Sequence, residues 1–291
     1  MLKGSIVAIV TPMKDGQVDE PSLRRLLAIH REAGTSGVVP AGCTGEAATL
    51  TSEERLRLLA ICLEEVGDSM SVIPGTGSNS TSETIHLTRA AEAAGAHGAL
   101  VITPYYNKPT PEGMYQHYRA VAGEVGIPVM LYNVPSRTGV NMTPETVARL
   151  SEIENVTTIK EASGSVDQVS EILELCDITV LSGDDPLTLP MMSVGARGVV
   201  SVVANVLPAM VAEMVEAYPE RPARAVELHH ALRPISKALF IETSPGPVKY
   251  AMAELGLIDS GELRAPLVGV NDETKRRMSD ALALMRAHTR Q

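Results

Sequence analysis

Lysine is scarce in this chain of 291 residues, with seven in all, and one of them stands where a lysine can do chemistry. Lys160 directly continues the apolar, β-branched run Val156-Thr157-Thr158-Ile159. At the end of a buried strand an ammonium loses hydration, which lowers its pKa. The neutral amine is then a nucleophile able to form an imine with a carbonyl compound. The plainer alternative is a strand-end lysine that reaches to water or pairs with Glu161. Tyrosines add to the chemical reading: the chain has no Trp, one Phe and seven Tyr, yet Tyr105, Tyr106 and Tyr132 all follow strand-like runs. A phenol there needs a hydrogen-bond partner, and beside an imine it can move protons. Arg137, in the turn Pro135-Ser136-Arg137, offers a fork for a carboxylate. The glycine-flanked loops Gly42-Cys43-Thr44-Gly45 and Gly75-Thr76-Gly77 could turn backbone N–H groups toward an anion, although tight turns alone also call for such glycines.

Other chemistries find little footing. Asp184-Asp185 resembles a carboxylate pair, but Pro186 follows, so Asp185 reads as a helix N-cap. His229 and His230 are adjacent on a helical pattern and cannot face one ligand together. Thr157 and Lys160 have an odd spacing, which on a strand sends them to opposite faces. No HExxH, GxSxG or Walker loop occurs, and three cysteines (Cys43, Cys62, Cys176) without CxxC argue against a zinc site or disulfide framework. Metal, acyl-transfer and nucleotide chemistry are not expected.

The elements that would position these residues alternate regularly. Strand-like runs fall at residues 5–10, 37–41, 71–74, 98–102, 128–131, 156–159, 178–181 and 198–202. Between them lie helical patterns at 21–31, 52–63, 80–94, 111–125 and 144–150, the second opened by the cap-like Thr51-Ser52-Glu53-Glu54. Near-continuous apolar strands indicate a sheet covered on both faces, and the alternation indicates parallel βαβ units. No GxGxxG follows the first strand, which favours a closed (β/α)8 TIM barrel over an open doubly wound sheet. Past the Pro-rich stretch 218–222 only helical patterns remain, at 225–232, 234–241, 247–255 and 272–286. The expected organisation is a barrel carrying the site over residues 1–224 and a C-terminal all-helical domain over 225–291. A net charge of −10 speaks against nucleic acid as a partner. The first apolar stretch stops at Thr11-Pro12, too short for a secretory signal, and no run approaches the ~18 apolar residues of a membrane helix. A cytoplasmic protein is expected.

Taken together, Gly4 through Pro12, Gly42-Cys43-Thr44-Gly45-Glu46, Tyr105-Tyr106-Asn107-Lys108-Pro109, Tyr132 through Gly139, Ile159-Lys160-Glu161-Ala162-Ser163-Gly164, Gly183-Asp184-Asp185 and Pro247-Val248-Lys249 resemble the dihydrodipicolinate synthase family of pyruvate-dependent class I aldolases. The resemblance runs over essentially the whole chain. It implies a homotetramer built as a dimer of dimers, with pyruvate and L-aspartate 4-semialdehyde as substrates and with neither metal nor organic cofactor. It implies Lys160 as the Schiff-base lysine, Tyr132 as the proton donor and acceptor beside it, and Tyr106 as a hydroxyl supplied across a dimer interface. Thr44 and Val200, through their backbones, would hold the pyruvate carboxylate, and Arg137 the carboxylate of the semialdehyde. Cys43 stands where the family usually carries a relay threonine.

Two alternatives accompany that reading: another Schiff-base aldolase, such as an N-acetylneuraminate lyase or a keto-sugar-acid aldolase, and a non-catalytic metabolite-binding barrel. The resemblance also implies an allosteric cleft for lysine. Asn79, Glu83 and Tyr105 match its residues, whereas Ser52 and Arg55 stand where lysine-sensitive bacterial enzymes typically carry histidines. Weak or absent lysine inhibition is therefore expected.

Overall fold

Eight short parallel strands form the centre of the computed structural model, which describes residues 2–288. They are β1 (Gly4–Ala8), β2 (Gly37–Val39), β3 (Ser71–Val72), β4 (Ala99–Ile102), β5 (Val129–Asn133), β6 (Val156–Glu161), β7 (Thr179–Ser182) and β8 (Gly198–Ser201). Each pairs in parallel with its sequence neighbours, except that β3 and β4 share no ladder, and β8 pairs with β1. A parallel bridge between Gly75 and Leu100 closes the ring between β3 and β4. The expected (β/α)8 barrel is the observed fold. A small hairpin of Met13–Lys14 against Gln17–Val18 follows β1 and was not legible in the sequence.

Strand alternation sorts the apolar side chains into two cores. Ile6, Ala8, Val39, Ile73, Leu100, Met130, Tyr132, Leu181 and Val200 form a compact cluster on the inward faces. Val7, Val38, Val72, Val101, Leu131, Ile159, Val180 and Val199 belong to the larger cluster that includes the helices. Those helices are α1 (Glu20–Glu32), α2 (Ser52–Val66), α3 (Thr81–Ala93), α4 (Pro111–Ala122), α5 (Pro144–Ser151), α6 (Val166–Leu175), α7 (Thr188–Ser193) and α8 (Pro208–Ala217). The expected cap of α2 is a full capping box: the Glu54 N–H donates to the Thr51 hydroxyl, and the Thr51 N–H donates to the Glu54 carboxylate.

Past the barrel come α9 (Pro222–Ala238), α10 (Gly246–Glu254) and α11 (Asp272–His288). The sequence suggested two helices around Pro234; the structure has one running through it. Leu228, Leu232 and Ile235 are buried on either side of the proline at helical spacing. Their packing offsets the hydrogen bond that Pro234 cannot donate. Among the described residues, no helix is long and apolar enough to cross a membrane.

Candidate active site

Tyr132 and Lys160 are register partners on neighbouring strands, so the barrel delivers both to its interior side by side. The sequence placed them just past their strands; the parallel ladder extends one residue beyond each, to Asn133 and Glu161. Both are 5 % exposed, and the Lys160 ammonium nitrogen lies 4.3 Å from the centre of the Tyr132 ring. Glu161 cannot pair with Lys160, because alternation turns it outward. Its carboxylate accepts hydrogen bonds from the Asn133 and Gln168 amides and from the Ser163 N–H. Just past the neighbouring strand β7, Gly183 leaves room for the lysine stem: a Cβ there would lie 3.0 Å from the Cγ and Cε of Lys160.

Burial drives Lys160 down to about 8, with Cys43 and Asp185 pulling it upward and the Arg137 charge adding to the depression. Tyr132 moves the other way: burial and then Cys43 hold its phenol well above the ordinary tyrosine range, opposed by Arg137. At neutral pH the pair is thus a phenol that keeps its proton beside an amine that partly lacks one.

Asp185 departs from expectation. Its carboxylate does not cap the helix that follows. It accepts hydrogen bonds from the hydroxyl of Ser201, the last residue of β8, and from the Val202 N–H at 2.9 Å and the Val203 N–H at 3.2 Å just beyond it. The two N–H groups are donors past the end of the ladder, and a buried carboxylate is the acceptor that satisfies them. Burial raises the Asp185 pKa against those bonds and against Lys160.

Two cavities meet at Tyr132. The first, about 470 Å³, is lined by Lys160, Thr44, Arg137 and Asp184, with Ser236, Lys237 and Phe240 contributed by α9 and its C-terminal end. The second, about 320 Å³, is lined by Arg55, Tyr105, Glu46 and the loop from Ala41 to Thr49. Cys43, Tyr132, Arg137 and Ser244 line both. Cys43 and Tyr132 interact directly across this shared wall. Arg137 sits exposed on the one-turn helix Pro135–Thr138 and donates to the Ser244 carbonyl at 3.3 Å. Val200 is buried on the inward face of β8, and Thr44 is 5 % exposed.

The other expected residues are divided. Arg55 interacts with Glu83 and Tyr105, and burial lowers its pKa against both. One of its terminal nitrogens is buried without a partner, while the other donates to the Ala47 carbonyl. Ser52 and Glu83 are exposed, and the Asn79 carbonyl accepts from the Asn107 amide. Tyr106 is 89 % exposed with φ +69° and lines neither cavity, so one chain does not bring it to Tyr132. Sequence reasoning missed Ser244 and the α9 residues, since nothing in a helical pattern marks which turn overhangs a barrel mouth.

A buried, partly neutral amine with an adjacent phenol and a nearby guanidinium can form an imine with a ketone that carries a carboxylate, then shuttle protons around it. Comparison with known proteins bears on which. The family model described as the Dihydrodipicolinate synthetase family matches residues 1–285. The 4-hydroxy-tetrahydrodipicolinate synthase of Pelobacter propionicus is 53% identical over 278 residues, 94% of this chain and 96% of its own. That of Methanothrix thermoacetophila is 51% identical over 98% of this chain and 97% of its own. Among solved structures, the synthase of Methylacidiphilum fumariolicum superposes with a TM-score of 0.97 at 44% identity, over 99% of this chain and 97% of that one.

The lysine environment gives a direct test. A group at about 8 is roughly one-tenth neutral at pH 7, against about 0.04% for an ordinary lysine near 10.4. Carbamylation of Lys160 by cyanate should therefore rise with pH through a midpoint near 8, well below that of the exposed Lys275, whose pKa its ion pair with Asp272 raises. Peptide mass mapping across pH 6–11 reads both on the same sample. Parallel titration of the two lysines would refute the depressed pKa.

Proposed function

The chain belongs to the dihydrodipicolinate synthetase family, and on that premise we propose that it condenses pyruvate with L-aspartate 4-semialdehyde to give 4-hydroxy-tetrahydrodipicolinate. The observation that carries this reading is the Lys160 amine, buried over the Tyr132 ring at the mouth of the barrel with its pKa pulled down to about 8. The names of the curated relatives favour the synthase over the other aldolases weighed from the sequence. They equally favour an enzyme, a lyase, over a non-catalytic barrel.

The neutral Lys160 amine attacks the pyruvate ketone, and loss of water from the resulting carbinolamine leaves an imine. Its positive nitrogen draws electrons from the methyl carbon, which gives up a proton and becomes an enamine. The enamine carbon attacks the aldehyde, and the new alkoxide takes a proton. The amino group of the second substrate then adds to the imine carbon, and the Lys160 amine leaves as the ring closes. The imine itself is the electron sink, so the sequence of steps calls for neither metal nor organic cofactor.

Tyr132 suits the proton steps because its raised pKa keeps it a phenol between transfers. Cys43, in contact with it, would pass the proton onward toward the second cavity. A thiol is a weaker hydrogen-bond partner than the hydroxyl usual at this position. Thr44 and the backbone beside it, with Val200, would hold the pyruvate carboxylate. Arg137, exposed at the rim of the lysine cavity, would receive the carboxylate of the semialdehyde. Tyr106, projecting outward on a left-handed residue, suits a hydroxyl given to a neighbouring subunit of a homotetramer. Such an enzyme would work in the cytoplasm.

Borohydride reduction in the presence of pyruvate should leave a lactyl-sized adduct on the peptide carrying Lys160, found by mass mapping. An adduct elsewhere, or none, would sink the imine mechanism. Two variants then separate the subsites. Arg137→Ala should lower semialdehyde use by roughly 30–150-fold, the ~2–3 kcal/mol of a charge-assisted contact, while leaving the pyruvate adduct intact. An equal loss in both would make Arg137 structural. Cys43→Ala should slow turnover by about 10–100-fold, the scale of a lost proton-transfer group, again with the adduct intact. Undiminished turnover would remove Cys43 from the relay.

The cleft around Arg55, Glu83 and Tyr105 is proposed to bind lysine poorly. A guanidinium with one unpartnered buried nitrogen repels an incoming ammonium. Steady-state rates should be insensitive to sub-millimolar lysine, and strong inhibition in that range would contradict this.

A further inference from the structure

The loop that carries Cys43 and Thr44 is held in a conformation its residues would not choose. Ala41 and Glu46, at its two ends, have φ of +52° and +57°. An L-residue enters this left-handed region only where its surroundings impose it.

The surroundings here are the C-terminal helical region and the segment after β1. Lys249, on α10, is fully buried and 203 residues distant from Glu46 in sequence. Its ammonium donates to a Glu46 carboxylate oxygen at 2.7 Å and to the Thr11 carbonyl at 2.9 Å. The other Glu46 oxygen accepts from the Arg264 N–H at 2.9 Å. The Thr11 hydroxyl donates to the Gly45 carbonyl at 2.7 Å. A closed circuit of buried hydrogen bonds therefore runs from Lys249 through Thr11, Gly45 and Glu46 and back to Lys249. It grips the last two residues of the loop and nothing else in the active site.

We propose that Lys249, Glu46 and Thr11 are positioning residues, through which the C-terminal helical region fixes the loop that presents Cys43 and Thr44. Lys249 is unsuited to the covalent role of Lys160, because its donors are already committed to the Glu46 carboxylate and the Thr11 carbonyl. The consequence for the reaction rests on the proposed function: a loosened loop weakens the hold on pyruvate and leaves the Arg137 contact, anchored separately on the Ser244 carbonyl, in place.

Three forms of the full-length protein test this: wild type, Thr11→Val, and Glu46→Gln/Lys249→Met. The double variant removes both buried charges together, so it leaves no unpaired ion, and Thr11→Val removes one hydroxyl and adds no charge. The first readout is the rate at which iodoacetamide alkylates Cys43, followed by peptide mass mapping, with the half-buried Cys176 as an internal reference. Cys43 should react about tenfold faster in the double variant and about threefold faster in Thr11→Val, the scale of a lost hydrogen bond, while Cys176 is unchanged. The second readout is kinetic: the KM for pyruvate should rise about tenfold in the double variant, with the KM for the semialdehyde within about threefold. Should the double variant fail to fold, Thr11→Val carries both readouts alone. Cys43 rates within twofold of wild type, or equal acceleration of Cys43 and Cys176, would overturn the proposal. The labelling needs no turnover, so a failure of the brace is distinguishable from a failure of the proposed function.

Discussion

Burying the Lys160 amine on the inward face of β6 forces nearly everything else around it. A side chain can reach the interior of a parallel barrel only at alternate strand positions, which places Lys160 inward and Ile159 and Glu161 outward. The register with β5 then puts Tyr132 alongside, and its ring supplies the one face that tolerates both an ammonium and a neutral amine. Gly183 follows from the same constraint, because any Cβ on that side of the barrel would occupy the volume of the lysine stem. Glu161, driven outward beside the helices, collects amide donors to satisfy its charge. In doing so it ties the end of β6 to Asn133, the residue after Tyr132. The reactive pair is thus fixed from behind by groups that never touch it.

The chain holds a second buried lysine, and comparing the two shows what makes an amine reactive. Burial lowers the pKa of both. Lys249 has a carboxylate at 2.7 Å and a carbonyl at 2.9 Å, so the ammonium form is the one its site is built for. Lys160 meets a ring face in place of an anion, and the carboxylate that acts on it, Asp185, has its oxygens occupied by Ser201, Val202 and Val203. Desolvation alone does not produce a nucleophile; desolvation without a committed acceptor does.

This difference explains which parts of the site were legible in the sequence. Lys160 stood out because a charged residue extended an apolar strand, and Tyr132 because a chain poor in aromatics placed one at a strand end. Both signals are local. Asp185 was misread because its partners lie 16 to 18 residues away, at and just past the end of β8, and only the closed barrel brings them near. The continuous α9 was misread for the same kind of reason: Pro234 is a strong local stop, and the packing that overrides it is tertiary. Strand order and the alternating cores followed from period and composition, whereas the residues that α9 lays over the mouth had no local mark. Tyr106 remains on the surface of a single chain, where neither local pattern nor fold gives it a partner.

The charges around the mouth form a balance that neither sign dominates. Arg137 pushes the Lys160 pKa down and Asp185 pulls it up, with burial the larger influence on the amine. A carboxylate freely facing Lys160 would have paired with it and kept it an ammonium, as Glu46 does for Lys249. By giving Asp185 three donors of its own, the last residue of β8 and the turn after it draw the anion's field away from the amine without removing its charge. The result is an amine near 8, basic enough to be nucleophilic and acidic enough to be partly free at neutral pH. The same stretch starts one residue past Val200, on the strand that pairs with β1. The pairing that seats β8 against β1 thus belongs to the same stretch of backbone that supplies the donors occupying Asp185.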